Sequence, residues 1–539
     1  MEKLKKVVGG QSFVTGAVTL VVASILCKII GVGFRIPLAN IVGNYGMGVY
    51  HMVFPLYALL LIISNAGIPV AISKMVAREK AKGDIRECRK ILYSSLVMLG
   101  VIGGVISVVF FLLAGKIASL QGNPETARIF MAIAPAVLFV CLISGYRGYF
   151  QGFGNMIPTA LSQIVEQIIK VGLGLTMVVL LIDKGIYIAI SGAIMALVLS
   201  EIVSLGVLIT IFYIHSRKQK IQKQKTEDKK ENGRMVSFRT MKSVFMKALP
   251  ITLMASIFPL LLVFDSMVVV SMLEASGNSV TNATRLYGIS SGTVHTLVNM
   301  PAVLGIAVAT AVVPMIASLL KKGNKEEVHK KSQLAVLLVA VVSIFFFAFY
   351  MFFGRELITL LYERAFKENP GQMNTAVNLL KIESVMILLM GFVAVFSSIL
   401  QGSGKSGFPL VAMASGAVVK VVFQLIFIRT SMGIYAVSVA NVLCFVVVFV
   451  LNTIFICRVL KIKPIEWKSL LRILLLGFIY SCVLLGLFFL LPSGKLWILL
   501  AGFVAFATYV FLIWVLKIVD FRKIFGRVKT AKSVADKTD

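Results

Sequence analysis

The chain has 539 residues, 58% of them hydrophobic and only 14% charged, where an average soluble domain carries nearer a quarter charged residues. A soluble core could not absorb that much apolar surface. A net charge of +31 raises nucleic acid as a partner, and the distribution of the basic residues along the chain excludes it.

Runs of about twenty apolar residues, separated by short polar segments, recur from Val14 to Leu516, each long enough to cross ~30 Å of hydrocarbon as a helix. No period-two alternation competes, which excludes barrel strands. The predicted spans are 14–34, 46–73, 91–114, 127–149, 158–182, 186–213, 244–273, 286–318, 333–353, 376–400, 407–429, 432–457, 468–491 and 495–516. The fold class expected is therefore an all-α polytopic membrane protein of about fourteen transmembrane helices. The first span has the Lys-rich start of a signal peptide. It lacks a small-residue cleavage site and carries Lys28 inside it, so it is read as a mature helix.

Of the 54 Lys and Arg residues, 40 fall in the segments on one side of these spans, above all 74–90, 214–247, 458–472 and 517–539. This alternation is the positive-inside pattern and predicts that both termini are cytoplasmic. The basic segment around Arg217 to Lys247 reads as a topology signal and solvated linker, with contact to anionic head groups as the alternative. Four of the six cysteines (Cys27, Cys141, Cys444 and Cys482) lie within spans and the others on the cytoplasmic side, so no disulfide framework is implied.

An internal repeat organises the chain. Gln151-Gly152-Phe153-Gly154 with Pro158 and Lys170 recurs 250 residues later as Gln401-Gly402-Ser403-Gly404 with Pro409 and Lys420, and Lys82-Gly83-Asp84 is echoed by Lys322-Gly323-Asn324. Both copies join two helices through a turn on the same side, so the halves have parallel topology about an axis along the membrane normal. The expected domains are an N-lobe over 1–213, a basic cytoplasmic linker over 214–243, a C-lobe over 244–457, and two appended helices with a basic tail over 458–539. Two such lobes predict a central cleft and alternating access. Gly67-Ile68-Pro69, Pro135, Pro259 and Pro301 are candidate helix breaks, with close packing of small residues as the competing explanation.

A charge at the bilayer centre costs ~3 kcal/mol on insertion scales and calls for a cavity or a partner. Lys28, Lys170 and Lys420 lie deep in their spans without an equal number of acids, which predicts an electropositive interior suited to phosphate or pyrophosphate. Glu166 and Lys170 are four apart with the acid N-terminal, the spacing of a structural ion pair. Gly416 stands where the second half would carry that acid, which leaves Lys420 for ligand or lobe contact. Lys28 and Arg35 lie seven apart on one helix stripe and are the leading head-group candidates, joined by Arg285. Glu201, Asp265 and His295 are candidates for ion or proton coupling, between which the sequence does not choose.

No cofactor, metal site or catalytic residue is expected. Gly404-Lys405-Ser406 lacks the earlier glycine of a phosphate-binding loop, because Ile399 stands there. Gly288-Ile289-Ser290-Ser291-Gly292 matches a nucleophile elbow only as letters, for it begins a membrane helix with no strand before it.

Lys28-Ile29-Ile30-Gly31 with Arg35-Ile36-Pro37-Leu38, GNYGMGVYHMVFPLY over 43–57, NAGIPVAISKMVA over 65–77 and YRGYFQGFGNMIPTALSQIVEQIIKV over 146–171 resemble the stage V sporulation protein B type. These belong with MurJ-type lipid II flippases and Wzx-type exporters in the multidrug/oligosaccharidyl-lipid/polysaccharide superfamily. The resemblance is close over the first half and looser beyond it. It implies translocation of an undecaprenyl-pyrophosphate-linked sugar from the inner to the outer leaflet of the bacterial cytoplasmic membrane, for peptidoglycan, spore cortex or capsule, by a protein expected to act as a monomer. It further implies a cleft lined by helices 1, 2, 7 and 8, with Lys28 and Arg35 in it, and a lipid-tail groove on the last two helices. Helix 7 carries Asp265 but no neighbouring Arg, so Arg285 is assigned the missing basic contact. The rival readings are a multidrug exporter of the same superfamily, which would want an acidic cleft, and a non-transporting scaffold acting through the basic loops.

Overall fold

The structure is a computed structural model that describes residues 13–65, 67–223, 235–461, 467–490, 492 and 494–516. Residues 224–234 of the linker and 517–539 of the tail lie outside the described residues. Every regular element is helical: α1 (Phe13–Asn65), α2 (Ile68–Ala81), α3 (Ile85–Leu120), α4 (Ala127–Ile133), α5 (Ala136–Gly152), α6 (Ile157–Leu181), α7 (Ile186–Lys223), α8 (Phe238–Ala275), α9 (Val280–Gly288), α10 (His295–Lys321), α11 (Lys325–Tyr362), α12 (Gln372–Gly402), α13 (Gly407–Phe427), α14 (Tyr435–Phe455), α15 (Trp467–Leu490) and α16 (Lys495–Val515).

Thirteen stretches are long and apolar enough to cross a membrane, and the first, Val22–Ala81, runs for 60 residues. At 1.5 Å per residue it would be ~90 Å long, three bilayer cores end to end. The backbone resolves this: Gly43 breaks α1 at φ 68 and ψ 179, a conformation open to glycine at little cost. The stretch is two crossings, which brings the number among the described residues to fourteen. Gly67-Ile68-Pro69 ends the second of them, with the helix stopping at Asn65 and resuming at Ile68 with Pro69 in its first turn. A π-helical turn over Ile289–Val294 joins α9 to α10, and Pro301 is carried inside α10.

The repeated turns share one geometry. Gly154 and Gly404 have φ of 76 and 77. In each the third residue beyond the helix end donates backward over five residues, from Asn155 N to Phe150 O at 3.1 Å and from Lys405 N to Leu400 O at 2.9 Å. These are the glycine-terminated helix ends that satisfy the last carbonyls. Gly83 and Gly323 do the same at φ 79 and 71. The side chains of Asp84 and Asn324 then cap the next helix, accepting from Glu87 N at 2.8 Å and Glu327 N at 3.1 Å.

The chain packs as two compact units. One comprises the described residues up to Thr296, with 364–370 and 421–437; the other comprises 297–363, 371–420 and those from Ser438 onward. Packing therefore groups α8, α9 and the π-turn with the first six predicted spans, where the repeat alone placed a division near residue 213. In the first unit Ile72, Val76, Leu92, Tyr149 and Phe150 form the centre of an apolar cluster. In the second, Val336, Val339, Phe396 and Ile399 do so. The last two helices dock on α11 through aromatic rings: Phe345 lies 5.6 Å from Tyr480 and 5.3 Å from Tyr509, whose hydroxyl donates to Val341 O.

Because lipid tails are as apolar as leucine, helix association relies on close backbone approach at small residues. A Cβ on Gly48 would stand 2.0 Å from Thr284 O, and one on Gly288 would stand 2.0 Å from Asn44 O, so α1 and α9 cross at backbone contact. Gly288→Val is expected to lower the thermal midpoint of the purified protein, overpacking costing about 1–3 kcal/mol. Gly172→Ala, with nothing within 4 Å of the added atom, should leave the midpoint unmoved. Equal midpoints for both variants would refute the crossing.

Candidate functional site

Two polar centres sit in the first unit. The first is built on α6, where Ser162, Glu166 and Lys170 recur every fourth residue and so share one face. α5 meets that face with Arg147, only 7% exposed. Its guanidinium donates from Nε to Ser162 Oγ at 3.1 Å and from Nη2 to Glu166 Oε2 at 2.9 Å. Lys170 Nζ reaches the other carboxylate oxygen at 3.5 Å. On α7, Glu201 is 1% exposed and accepts a 2.7 Å hydrogen bond from the Tyr57 hydroxyl of α1.

These groups border a cavity of about 430 Å³ whose walls include Ser24, Cys27, Arg147, Gln163, Glu166 and Glu201. Such a space admits water and small ions. Its walls carry two carboxylates, Glu166 and Glu201, and one guanidinium, Arg147. Three deep lysines predict an electropositive interior; in this cavity the cation is instead Arg147, inside α5 five residues short of its end at Gly152 and facing Glu166.

The second centre gathers basic side chains from α1 and the start of α10. Arg35 is half-buried with its guanidinium 5.5 Å from the centre of the Phe54 ring, a cation–π contact. Phe54 stacks on Tyr50 at 5.2 Å, and Tyr50 meets His51 edge-on at 5.4 Å. His51 is 6% exposed and lies within the electrostatic reach of both Arg35 and His295. Its Nε2 has no hydrogen-bond partner among the described residues. Sequence reasoning found Arg35 and His295 and passed over His51, although it is a histidine in an apolar span sixteen residues beyond Arg35.

The other candidates are placed as follows. Lys28 is exposed, while its neighbour Cys27 lines the cavity. Arg285 on α9 forms an ion pair at 3.5 Å with Glu368, a largely exposed carboxylate. Asp265 on α8 is buried in the first unit. Lys420, 2% exposed, belongs to the second unit. That unit also holds a carboxylate that sequence reasoning passed over, Glu383 on α12, which accepts from Ser438 Oγ at 2.8 Å and Asn441 Nδ2 at 3.4 Å. No cluster of three potential metal ligands occurs among the described residues.

Arg147→Met should destabilise strongly, because breaking a buried pair by removing one partner costs about 3–5 kcal/mol. Adding Glu166→Gln should recover much of the loss. Thermal unfolding of both variants in detergent checks this, and a double variant no better than the single one would show the pair to be unimportant.

Comparison with known proteins points one way. A sequence model of polysaccharide biosynthesis proteins matches residues 13–320, and a MatE model matches residues 250–426. Stage V sporulation protein B of Bacillus subtilis is 30% identical over 486 residues, covering 88% of this chain and 89% of that one. Lipid II flippase MurJ of the same organism is 26% identical over 437 residues, 77% of each chain. Among solved structures, lipid II flippase MurJ in an inward closed conformation superposes with a TM-score of 0.70 at 14% identity, over 94% of this chain and 98% of that one. An inward-facing multidrug resistance MATE family transporter gives 0.66 at 16% identity, over 81% and 95%.

Proposed function

Because the chain belongs to the polysaccharide biosynthesis protein family, within the multidrug/oligosaccharidyl-lipid/polysaccharide superfamily of transporters, we propose that it is a flippase for a lipid-linked cell-wall sugar. It is a multi-pass bacterial membrane protein. The proposed substrate is lipid II or a related polyprenyl-pyrophosphate-linked oligosaccharide, moved from the inner to the outer leaflet with both termini of the protein in the cytoplasm.

The observation that carries the substrate class is the basic centre of Arg35, His51 and His295, gathered in one unit beside aromatic rings. A pyrophosphate needs cations that offset its desolvation and yet release it, which favours a few half-exposed donors over a closed cage. Arg35 supplies a permanent charge and a forked donor. The two histidines add ring N–H donors beside it. Lys28, Arg285 and Lys420 are proposed as secondary contacts. The stage V sporulation protein B relative supports a cell-envelope substrate, and the MurJ relative supports lipid II among these.

Energy input is assigned to the cavity between α1, α5, α6 and α7. Glu201 there is held by a neutral hydroxyl while Glu166 is held by two cations. A buried carboxylate calls for a countercharge, which a mobile proton or cation can supply. Glu201 is therefore the proposed proton or cation carrier, and the Arg147–Glu166–Lys170 group its fixed frame. Asp265 is kept as a second candidate.

In vesicles containing the purified protein, fluorescent lipid II placed in one leaflet should become accessible from the other. Arg35→Ala should slow this about ten- to a hundredfold, from the loss of ~1.5–3 kcal/mol of charged hydrogen bonding. Glu201→Gln should abolish its dependence on an imposed proton gradient. Deleting 224–234 should leave the rate intact, whereas the scaffold reading requires that deletion to abolish function in cells. The MatE match over 250–426 gives the multidrug reading a specific footing. Cationic dye efflux without lipid II movement would establish it in place of the flippase.

A further inference from the structure

Near the end of α11 the second unit contains a small cavity that neither polar centre uses. Its volume is about 110 Å³, and it is lined by Phe353 and Glu356 of α11, Phe488 of α15, Pro492, Gly494 and Trp497 of α16. That is room for several waters or one small head group. Phe353 is the residue at which α11 departs from helical geometry, with φ −108 and ψ 19. The Phe353 and Phe488 rings meet edge to face at 5.9 Å, and Trp497 is 40% exposed.

The acid in this aromatic setting is the informative feature. Glu356 Oε2 is shielded from solvent and has no hydrogen-bond partner among the described residues. Arg355, its neighbour in sequence, donates to Asn374 Oδ1. A shielded carboxylate left without a donor is unfavourable unless a cation or a donor arrives from outside. Aromatic faces around a carboxylate are the arrangement that receives an ammonium group, the rings contributing cation–π attraction and the acid the countercharge.

The surroundings identify the source of that ammonium. Phe489, Leu490 and Leu496 are 78%, 79% and 77% exposed, so the pocket opens among apolar side chains at the end of two membrane helices, with a tryptophan at the rim. That is the composition of the membrane–water interface.

We propose that this pocket is a lipid site that takes the ammonium end of a zwitterionic phospholipid, with phosphatidylethanolamine as the fitting head group. The ammonium sits against Glu356 between Phe353, Phe488 and Trp497, and the phosphate and acyl chains remain in the surrounding lipid. The site uses neither the basic centre nor the Glu201 cavity, and its test does not depend on them.

The full-length protein in detergent, mixed with equal amounts of phosphatidylethanolamine and phosphatidylglycerol of identical chains, is read by native mass spectrometry. Phosphatidylethanolamine should be retained in about tenfold excess, the ratio set by a cation–π and charge contact of this kind. Glu356→Gln should bring the ratio to about one. Equal retention of the two lipids by the unaltered protein, or an unchanged preference in E356Q, would overturn the site. Free ethanolamine and choline at millimolar concentration form a second arm. Displacement of the lipid by either would overturn the lipid assignment in favour of a soluble ammonium ligand, and failure to displace supports it. If E356Q does not yield folded protein, Trp497→Leu decides: loss of the preference supports the proposal and its retention overturns it.

Discussion

An ionised group inside a membrane protein has no water to fall back on, and the first unit is arranged around that constraint. Arg147 and Glu166 are both deeply placed and would each be costly alone. Together, with Ser162 and Lys170 completing their hydrogen bonds, they form a network that is tolerable as a whole and strongly destabilising when one member is removed. α5 and α6 are thereby held in one register, and the 430 Å³ cavity beside them keeps its polar wall. Glu201 borders the same space with a phenol as partner. One carboxylate of the cavity is thus neutralised by cations and the other is held by a neutral donor.

The second unit follows the same rule with different residues. Where α6 carries Glu166, the repeat carries Gly416, and a Cβ there would stand 2.7 Å from Cys444 O. The position has gone from charge pairing to close helix contact. A buried acid appears instead at Glu383 on α12, satisfied by the hydroxyl of Ser438 and the amide of Asn441. Duplicated turns with nearly identical glycine dihedrals thus carry divergent interiors. Backbone geometry at a turn tolerates little change, whereas an interior polar group needs only some partner within reach.

Architecture and family were legible in the residues because they rest on local rules. Twenty apolar residues span a bilayer whatever their neighbours, and the Gly-terminated turns with their Asp84 and Asn324 caps are contained in four or five residues. The resemblance of the first half to lipid-precursor flippases likewise lay in contiguous strings. The site was legible only in part. Glu166 and Lys170 could be paired because one helix carries both at a spacing of four. Arg147 carried no such signal, because its partners Ser162 and Glu166 lie fifteen and nineteen residues away on another helix. His51 and Glu383 carried no local signal beyond their presence in apolar runs.

Sequence alone therefore determined the number of crossings, the repeat, the helix ends and the family, since each depends on composition or on neighbours along the chain. Tertiary structure alone decided that Arg147 answers Glu166 across two helices, that Tyr57 answers Glu201, that Arg35, His51 and His295 share one unit, and that α8 and α9 pack with the helices before them. The physical reason is that the free energy of a buried charge is set by whatever faces it within a few ångströms. In a helical bundle, what faces it comes from segments tens or hundreds of residues away.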